Sequence, residues 1–406
     1  MGSAFPNQSF FSLQGAFARF ERSNMLNNQE ILRYGRHLIM PEVGVTGQEK
    51  LKAAKLLMIG AGGLGSPAAL YLAASGVGEI TIIDPDTVDV SNLQRQILHD
   101  SSSVGVPKVE SAKRRMNEVN PFVKINAIQD SVSTENVMEL VASHDLVVDG
   151  TDNFETRYIV NDACVLNKKL NVYGSIFRFD GQSTVFCDEN GPCYRCLFPE
   201  PPPPGMVPSC AEGGVLGILP GVVGTIQATE AIKIIMGQGQ TLVGRLMIYD
   251  ALAMSFRTLK VRKDPDCPIC SANPSITSLL PSSEYRHLCG ITEEEIGVDP
   301  AQIEQISAKS AAPLLGDGKT QFIDVRSPEE WQITRLPGAL HIPLDDLLSR
   351  VNELNTAQDY VVYCHIGQRS AKAIGGLQKL GFKKLKNLAG GIEAWSQKVD
   401  ESVPRY

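Results

Sequence analysis

The stretch that most constrains this chain is Gly60-Ala61-Gly62-Gly63-Leu64-Gly65, set between the apolar runs LLMIG (56–60) and AALYLAASG. A buried strand that turns through bare glycine backbone into a helix can bring a helix N-terminus to one point in space. The residues that follow keep the same rhythm. EITIID (79–84), KINAIQ (124–129) and HDLVVDGTDN (144–153) read as strands. KVESAKRRMNEVN (108–120) and a segment around 135–143 read as helices between them. Strand and helix in alternation predict an α/β fold with a doubly wound parallel sheet. Ahead of it, residues 30–55 read as helical, with Ile31, Tyr34, Leu38 and Leu51 on an apolar stripe.

The pattern changes near residue 170. VYGSIF and GQSTVFCDENGPCYRC predict antiparallel strands with a turn at Glu189-Asn190-Gly191, so the sheet is expected to be mixed. PEPPPPGMVPS (199–209) predicts an extended surface loop, and GILPGVVGTIQATEAIKIIMG a helix ending near Gly237. A second alternation, QFIDVR, ALHIPL, DYVVYC and KKLKNLAGG, begins near 301 and predicts a smaller α/β domain. The expected division is an extension over 1–27, a first domain over 28–272, a Ser-, Pro- and Glu-rich linker over 273–300, and a second domain over 301–406. The extension has neither a long apolar core nor a clear cleavage site, which argues against a secretory signal and for a disordered leader.

Charge and cysteine usage narrow the function. The balance of 38 basic and 45 acidic residues, a net charge of -7, leaves no basic footprint for nucleic acid. No apolar run reaches the ~18 residues of a membrane span. Nine cysteines, an odd number, argue for metal-binding or reactive thiols in a reducing, cytoplasmic compartment rather than a disulfide framework.

Gly60, Gly62 and Gly65 suit close approach to a phosphate chain, and Asp84, ending the next strand, suits ribose hydroxyls. A nicotinamide dinucleotide would satisfy that much. Arg36, Asn92, Arg95 and Lys108 tilt the reading toward ATP, because several cationic and polar groups fit a triphosphate better. Asp152, in the GTDN turn, is placed for Mg²⁺ beside phosphate oxygens. Any one of these charges alone would read as a solvated surface residue. RYGRHLIMPEVGVTGQEKL, GAGGLGSP, DPDTVDVSNLQRQILH, VGVPKVESA and DGTDNFETRYIVNDAC together resemble the ThiF/MoeB/HesA family, relatives of ubiquitin-activating enzymes, over about residues 30–270. The resemblance implies a Rossmann-like adenylating domain. It also implies a homodimer that binds ATP·Mg²⁺ and adenylates the C-terminal glycine of a ubiquitin-like sulfur carrier ending in Gly-Gly. Asp84, Asn92, Arg95, Lys108 and Asp152 fall on its ATP and magnesium positions. Arg36 falls on an arginine donated across the dimer.

Cys193 and Cys196 form CYRC; Cys267 and Cys270 form CPIC. Two such knuckles can close one tetrahedral, structural zinc site, and the resemblance implies the same site. A redox pair is the alternative, but neither opens a helix in a thioredoxin-like setting. Cys210, in VPSCAEGGV just past the proline-rich loop, reads either as a buried small residue or as a reactive thiol. The resemblance implies a cysteine that receives the activated carrier or resolves a persulfide adduct. Cys164, Cys187 and Cys289 read as structural.

Cys364 ends the apolar strand of YVVYC, and CHIGQR (364–369) leads into a helix. Such a loop aims backbone N–H groups and the helix N-terminus at the sulfur, an arrangement that stabilises a thiolate, with Arg369 adding positive charge. FIDVRSPEEW, LPGALHIPL, the CxxGxR loop and AGGIEAW resemble a single-domain rhodanese over about 301–406. Thr334-Arg335 departs from the family's usual Gly-His. The resemblance implies a persulfide on Cys364, filled by a donor such as a cysteine desulfurase or thiosulfate. Asp324 and Arg326 then read as structural. Both resemblances in one chain point to the molybdopterin-synthase adenylyltransferase/sulfurtransferase type. Its expected product is a carrier thiocarboxylate. The competing expectation is thioester formation on Cys210 for protein conjugation.

Overall fold

The apolar run after Ala54 forms β1 (Lys55–Ile59), whose last four residues are all buried. Burial on both faces marks a central strand of a parallel sheet. The computed structural model describes residues 25–202, 214–288 and 303–406, and the chain divides into two units, Met1–Gly290 and Ile291–Tyr406. In the first unit β1 is joined by β2 (Glu79–Ile83), β3 (Lys124–Ile128), β4 (Leu146–Asp149), β5 (Leu170–Phe177), β6 (Asp180–Phe186), β7 (Arg245–Asp250) and β8 (Ser255–Lys260). Their order is β3-β2-β1-β4-β5-β6-β7-β8. The first five are parallel and the last three antiparallel. Strand order reverses between β1 and β4, and the crevice beyond their C-terminal ends is where such sheets bind ligands.

Alternating side chains of β1 feed two cores. Leu56 and Met58 pack with the helices Gly65–Ser75 and Leu219–Met236, while Leu57 and Ile59 pack with Tyr158 and Ile159 of the helix Phe154–Asn167. The region 30–55 is two helices, Asn28–Leu38 and Gly44–Ala53, with Pro41 between them. A capping box between Asn27 and Glu30 starts the first. Tyr34 and Leu51 are buried as their stripe predicts, but Ile31 is 46% exposed.

Two expectations need correction. The β5–β6 hairpin turns at Arg178-Phe179, not at Glu189-Asn190-Gly191: Phe177 pairs with Asp180, and Arg178 takes a φ of +51°. β6 ends at Phe186. Asp188–Gly191 then makes a separate turn into the helix Tyr194–Leu197, so CYRC is not strand. Asn190-Gly191 has turn chemistry, but pairing of β6 with both β5 and β7 sets the register. The expected linker also begins too early. Residues 282–288 form a helix whose Tyr285 is fully buried, and Leu279, Leu280 and Leu288 pack on the Tyr158 core. In the sequence the serines and prolines around these four apolar residues mask their signal. Strands β7 and β8 carried no clear signal of their own; β8 is an edge with nearly every residue exposed.

The second unit is a five-stranded parallel sheet, β11-β10-β12-β13-β9, built from β9 (Gln305–Ser307), β10 (Thr320–Asp324), β11 (Leu340–His341), β12 (Asp359–Tyr363) and β13 (Leu385–Ala389). Helices cover both faces. Val362 and Cys364 face a core with Ile374 and Leu377 of the helix Gln368–Lys379. Val361 and Tyr363 face Ile392 and Trp395 of the helix Gly391–Lys398. Residues 1–24 of the expected 1–27 extension, most of the proline-rich loop, Cys210 and Cys289 lie outside the described residues; Met25–Asn27 are described, and Asn27 caps the first helix.

A buried ion pair ties the late part of the first unit to its centre. Arg195 donates from Nε and Nη2 to the two oxygens of Asp162 at 2.8 and 2.7 Å, and Tyr285 Oη donates to Asp162 Oδ2 at 2.8 Å. Asp162 is fully buried, so truncating it strands a desolvated guanidinium. Asp162→Ala is therefore expected to destabilise the first unit by about 3–5 kcal/mol. Tyr285→Phe should cost about 1 kcal/mol. Denaturant unfolding followed by circular dichroism measures both; equal effects would contradict this ranking.

Candidate active sites and metal centre

The glycine turn lies in the crevice between β1 and β4. Gly60 has a φ of +93°, and a Cβ on Gly65 would sit 2.1 Å from the Gly60 carbonyl oxygen. A Cβ on Gly150, just past β4, would lie 3.2 Å from the Gly65 nitrogen. Three backbones thus meet without side chains, opening the helix Gly65–Ser75 at the crevice. Gly62 differs. A Cβ there would meet only Gln96 Nε2, at 3.8 Å, so this position keeps open space for a ligand.

Asp84, just past β2, accepts from the Ala61 N–H at 2.8 Å and the Asp86 N–H at 2.9 Å. Burial pushes its carboxyl up, against the pull of nearby Lys108. Lys108 opens the helix Lys108–Val119, is itself buried, and pairs with the exposed Asp86 at 2.8 Å. Asn92 sits in a 3₁₀ turn where its Oδ1 accepts from Asp89 N–H at 3.2 Å. Arg95 donates to Ser91 O at 3.1 Å, and its stem lies within van der Waals reach of Gly63. Asp152 is exposed two residues beyond Gly150. The sequence-predicted residues Gly60, Gly62, Gly65, Asp84, Arg95, Lys108 and Asp152 therefore gather around one crevice.

Arg36 does not join them. It is exposed on the helix Asn28–Leu38, whose Tyr34 packs against Gly76 and Asn120 at the opposite end of the strands. Sequence reasoning missed Asp149, Arg157 and Gln227. Asp149 is buried and binds Thr151 N–H and Oγ1 at 2.9 and 2.7 Å through Oδ1. Arg157 donates to Thr151 O at 3.0 Å, and Gln227 to Asp149 O at 2.7 Å. All three hold the loop that presents Asp152. Asp149 stood inside DGTDN and Arg157 inside NFETRY, quoted as motifs without roles.

Four sulfurs converge elsewhere in the first unit. Cys193 lies 3.8 Å from Cys196 and 3.6 Å from Cys267, and Cys196 lies 3.3 Å from Cys270. All four lie within 4.8 Å of one another. Tetrahedral Zn–S bonds of about 2.3 Å set sulfurs about 3.8 Å apart, so the cluster fits that ion. The Asp264 N–H points at Cys196 Sγ at 3.4 Å, an outer-shell contact of the kind metal thiolates make. Cys164 is fully buried, and burial pushes both its thiol and that of Cys187 up, which suits inert packing.

In the second unit Cys364 follows β12 and is 1% exposed. Its Sγ accepts the Gly367 N–H at 3.1 Å and lies 3.5 Å from Ser370 Oγ, whose other contact is Asn387 Oδ1 at 2.7 Å. Gly391 holds the back of the loop: a Cβ there would be 2.2 Å from His365 O and 2.4 Å from Cys364 O. The Ile392 and Glu393 N–H groups bind those carbonyls at 2.9 and 3.1 Å. Arg369 is placed differently from expectation. Its fork engages Glu330 at 2.6 and 2.7 Å, so its charge is matched by a carboxylate. Arg326 is fully buried against Asp324, and its Nη2 also donates to Thr334 O at 2.7 Å. The Thr334-Arg335 departure thus supplies a carbonyl, not a side chain, to this network.

The two units match known protein families. The ThiF family model covers residues 34–269. The chain belongs to the ThiF family. A rhodanese-like domain model covers residues 307–398. The Mycobacterium tuberculosis protein named "Probable adenylyltransferase/sulfurtransferase MoeZ" is 46% identical over 95% of this chain and 98% of its own length. The "Adenylyltransferase and sulfurtransferase MOCS3" of Aedes aegypti is 42% identical over 94% of this chain and 90% of its own. A crystal structure of MccB from E. coli superposes with a TM-score of 0.55 and 22% identity, over 67% of this chain and 82% of that one, and so shows the fold alone. This ThiF-family chain is an enzyme, an adenylyltransferase and sulfurtransferase.

The second unit gives a pH test. Burial opposes ionisation of Glu330, but Arg369, the Ser327 N–H and Tyr406 outweigh it and hold the carboxyl at about 2. A carboxyl depressed from its ordinary value contributes stability above about pH 4.3 that is lost as pH falls toward the folded value. Glu330→Gln should flatten the second unit's stability profile across that window. The chain's two tryptophans, Trp331 and Trp395, both lie in this unit, so their fluorescence reports it. An unchanged slope would remove Glu330 from the account.

Proposed function

We propose that this enzyme adenylates the C-terminal glycine of a ubiquitin-like sulfur carrier and converts it to a thiocarboxylate. The observation that carries the reading is one chain holding both a glycine crevice flanked by Asp84, Lys108 and Asp152 and a cysteine cradled by a loop N–H. The crevice offers ATP what it needs. Gly62 leaves room for phosphates at the helix N-terminus, Asp84 faces the ribose end, and Arg95 and Lys108 match phosphate charge. Mg²⁺, with Asp152 among its ligands, would neutralise charge as pyrophosphate leaves. Positioning and charge neutralisation suffice, because the carrier's carboxylate is itself the nucleophile at the α-phosphate.

The second unit supplies sulfur. A donor leaves sulfane sulfur on Cys364 as a persulfide. Its terminal sulfur attacks the acyl-adenylate carbonyl, AMP departs, and an acyl disulfide forms. A thiolate, from Cys210 or an external thiol, attacks the Cys364 sulfur, and the S–S bond breaks to release the thiocarboxylate. The new disulfide is returned to thiols by an external dithiol. The donor class is a cysteine desulfurase or thiosulfate. The first domain extends through the Ser282–Leu288 helix in this reading, and the rhodanese domain starts near β9.

Zinc held by Cys193, Cys196, Cys267 and Cys270 is the structural metal, supported by the sulfur spacing. A homodimer is supported by Arg36, which its own crevice does not receive, and by Leu32 and Ile39, which are 85% and 72% exposed on the same surface segment. No helix among the described residues is long and apolar enough to cross a membrane. The odd number of cysteines, nine, supports a reducing, cytoplasmic setting.

Incubation with candidate carriers, ATP and thiosulfate, followed by intact mass measurement, should yield the shift of one sulfur-for-oxygen exchange. Absence of that product with every carrier, or an isopeptide conjugate in its place, would sink this reading. Cys364→Ala should abolish sulfur transfer and leave ATP–pyrophosphate exchange intact; loss of both would refute the division of labour. Elemental analysis should find one zinc per chain, and Cys267→Ser should lose it together with thermal stability.

A further inference from the structure

The sulfur-transfer loop is held at both ends by one side chain that none of its motifs contains. The Tyr406 ring stacks on His365, with centroids 4.5 Å apart and planes 13° from parallel. The Tyr406 hydroxyl accepts from Arg326 Nη1 at 2.7 Å and donates to Glu330 Oε1 at 2.9 Å. Glu330 in turn grips Arg369 with both oxygens. His365 directly follows Cys364, and Arg369 closes the loop. Between them Gly367 presents its N–H to the sulfur. We propose that Tyr406 is a positioning residue for sulfur transfer, setting the shape of the Cys364–Arg369 loop through His365 at one end and through Glu330 and Arg369 at the other. The proposal rests on the sulfurtransferase reading of Cys364.

The frame behind Tyr406 is rigid. Arg326 is fully buried, with its Nε shared between the Asp324 oxygens at 2.9 and 3.0 Å. The segment leading to Tyr406 is anchored as well. Ser396 Oγ donates to Val403 O at 2.6 Å, Val403 is buried, and Arg405 pairs with Glu393. Glu393 also lies 3.9 Å from His365 Nε2. The hydroxyl joins the buried Asp324–Arg326 pair to the Glu330–Arg369 pair. Loss of the ring would free His365; loss of the hydroxyl alone would loosen the far end and leave the stack.

A loop N–H that drifts away or tilts stabilises the sulfur less, while donor binding need not change. The full-length enzyme, with thiosulfate as donor and cyanide as acceptor, tests this. Tyr406→Ala should lower kcat by about tenfold with KM for thiosulfate nearly unchanged, and Tyr406→Phe should recover roughly half of that loss on a logarithmic scale. ATP–pyrophosphate exchange should stay at the parental rate in both.

A second readout separates positioning from mere folding. Burial lowers the pKa of His365, against Glu393 and Glu330, which raise it; Arg369 and Arg326 also lower it. Unstacking exposes the imidazole. In Tyr406→Ala the alkylation rate of Cys364 by iodoacetamide, followed by peptide mass, should gain an inflection near the ordinary histidine value of about 6.5. Tyr406→Phe, with its stack intact, should lack it. Parental kcat and an unaltered alkylation profile in Tyr406→Ala would overturn the proposal. So would a kcat loss matched by loss of folded second unit, read from tryptophan fluorescence, in both variants. Cys364→Ala run beside them separates the two ideas: parental transfer without that thiol would refute the sulfurtransferase reading itself.

Discussion

The close approach of three backbones, at Gly60, Gly65 and Gly150, is the constraint on which the first unit depends. A Cβ at Gly65 would collide with the Gly60 carbonyl, and one at Gly60 or Gly150 would press on a neighbouring backbone, so β1, β4 and the helix Gly65–Ser75 meet at one place. That meeting is also where strand order reverses. The ends of β1, β2 and β4 therefore deliver Gly62, Asp84 and Asp152 to one crevice from positions far apart in the chain. Polar groups then have few ways to arrange themselves. Asp84 binds the glycine turn through Ala61, and Asp149, Arg157 and Gln227 fix the loop after β4.

Buried ion pairs do the comparable work outside the crevice. Asp162, Arg195 and Tyr285 connect the helix Phe154–Asn167, the first cysteine knuckle and the last helix of the unit. This link is positional more than a source of net stability, since desolvating such charges offsets much of their attraction. In the second unit Asp324–Arg326 and Glu330–Arg369 frame the Cys364 loop from two sides. Arg369 illustrates how context changes a charge. In the sequence it is a cation five residues after Cys364; in the fold it is matched by the carboxylate of Glu330, 39 residues away.

Much of the site was legible because its chemistry is local. A glycine turn between a strand and a helix, two CxxC pairs, and a cysteine ahead of a glycine-containing loop each carry their meaning within a few residues. The illegible parts share a different trait. Tyr406 has no motif around it, and its role exists only because the chain returns to His365. Tyr285 sat in a segment whose serines and prolines suggested a linker. Arg178-Phe179 closes a hairpin without the usual turn residues, because strands on both sides of β6 already set its register.

The amino-acid sequence by itself determined the two α/β units, the glycine turn, the candidate ligands of one metal, and the place of Cys364 at a strand end ahead of a glycine-containing loop. Period, spacing and backbone sterics act over short stretches, so those features survive without a fold. Only the tertiary structure decided which charges remain available and which are matched, where Arg36 stands relative to its own crevice, and that Tyr406 spans both ends of the sulfur-transfer loop. Those outcomes depend on which distant side chains share a few ångströms of low-dielectric space, and no local pattern encodes that.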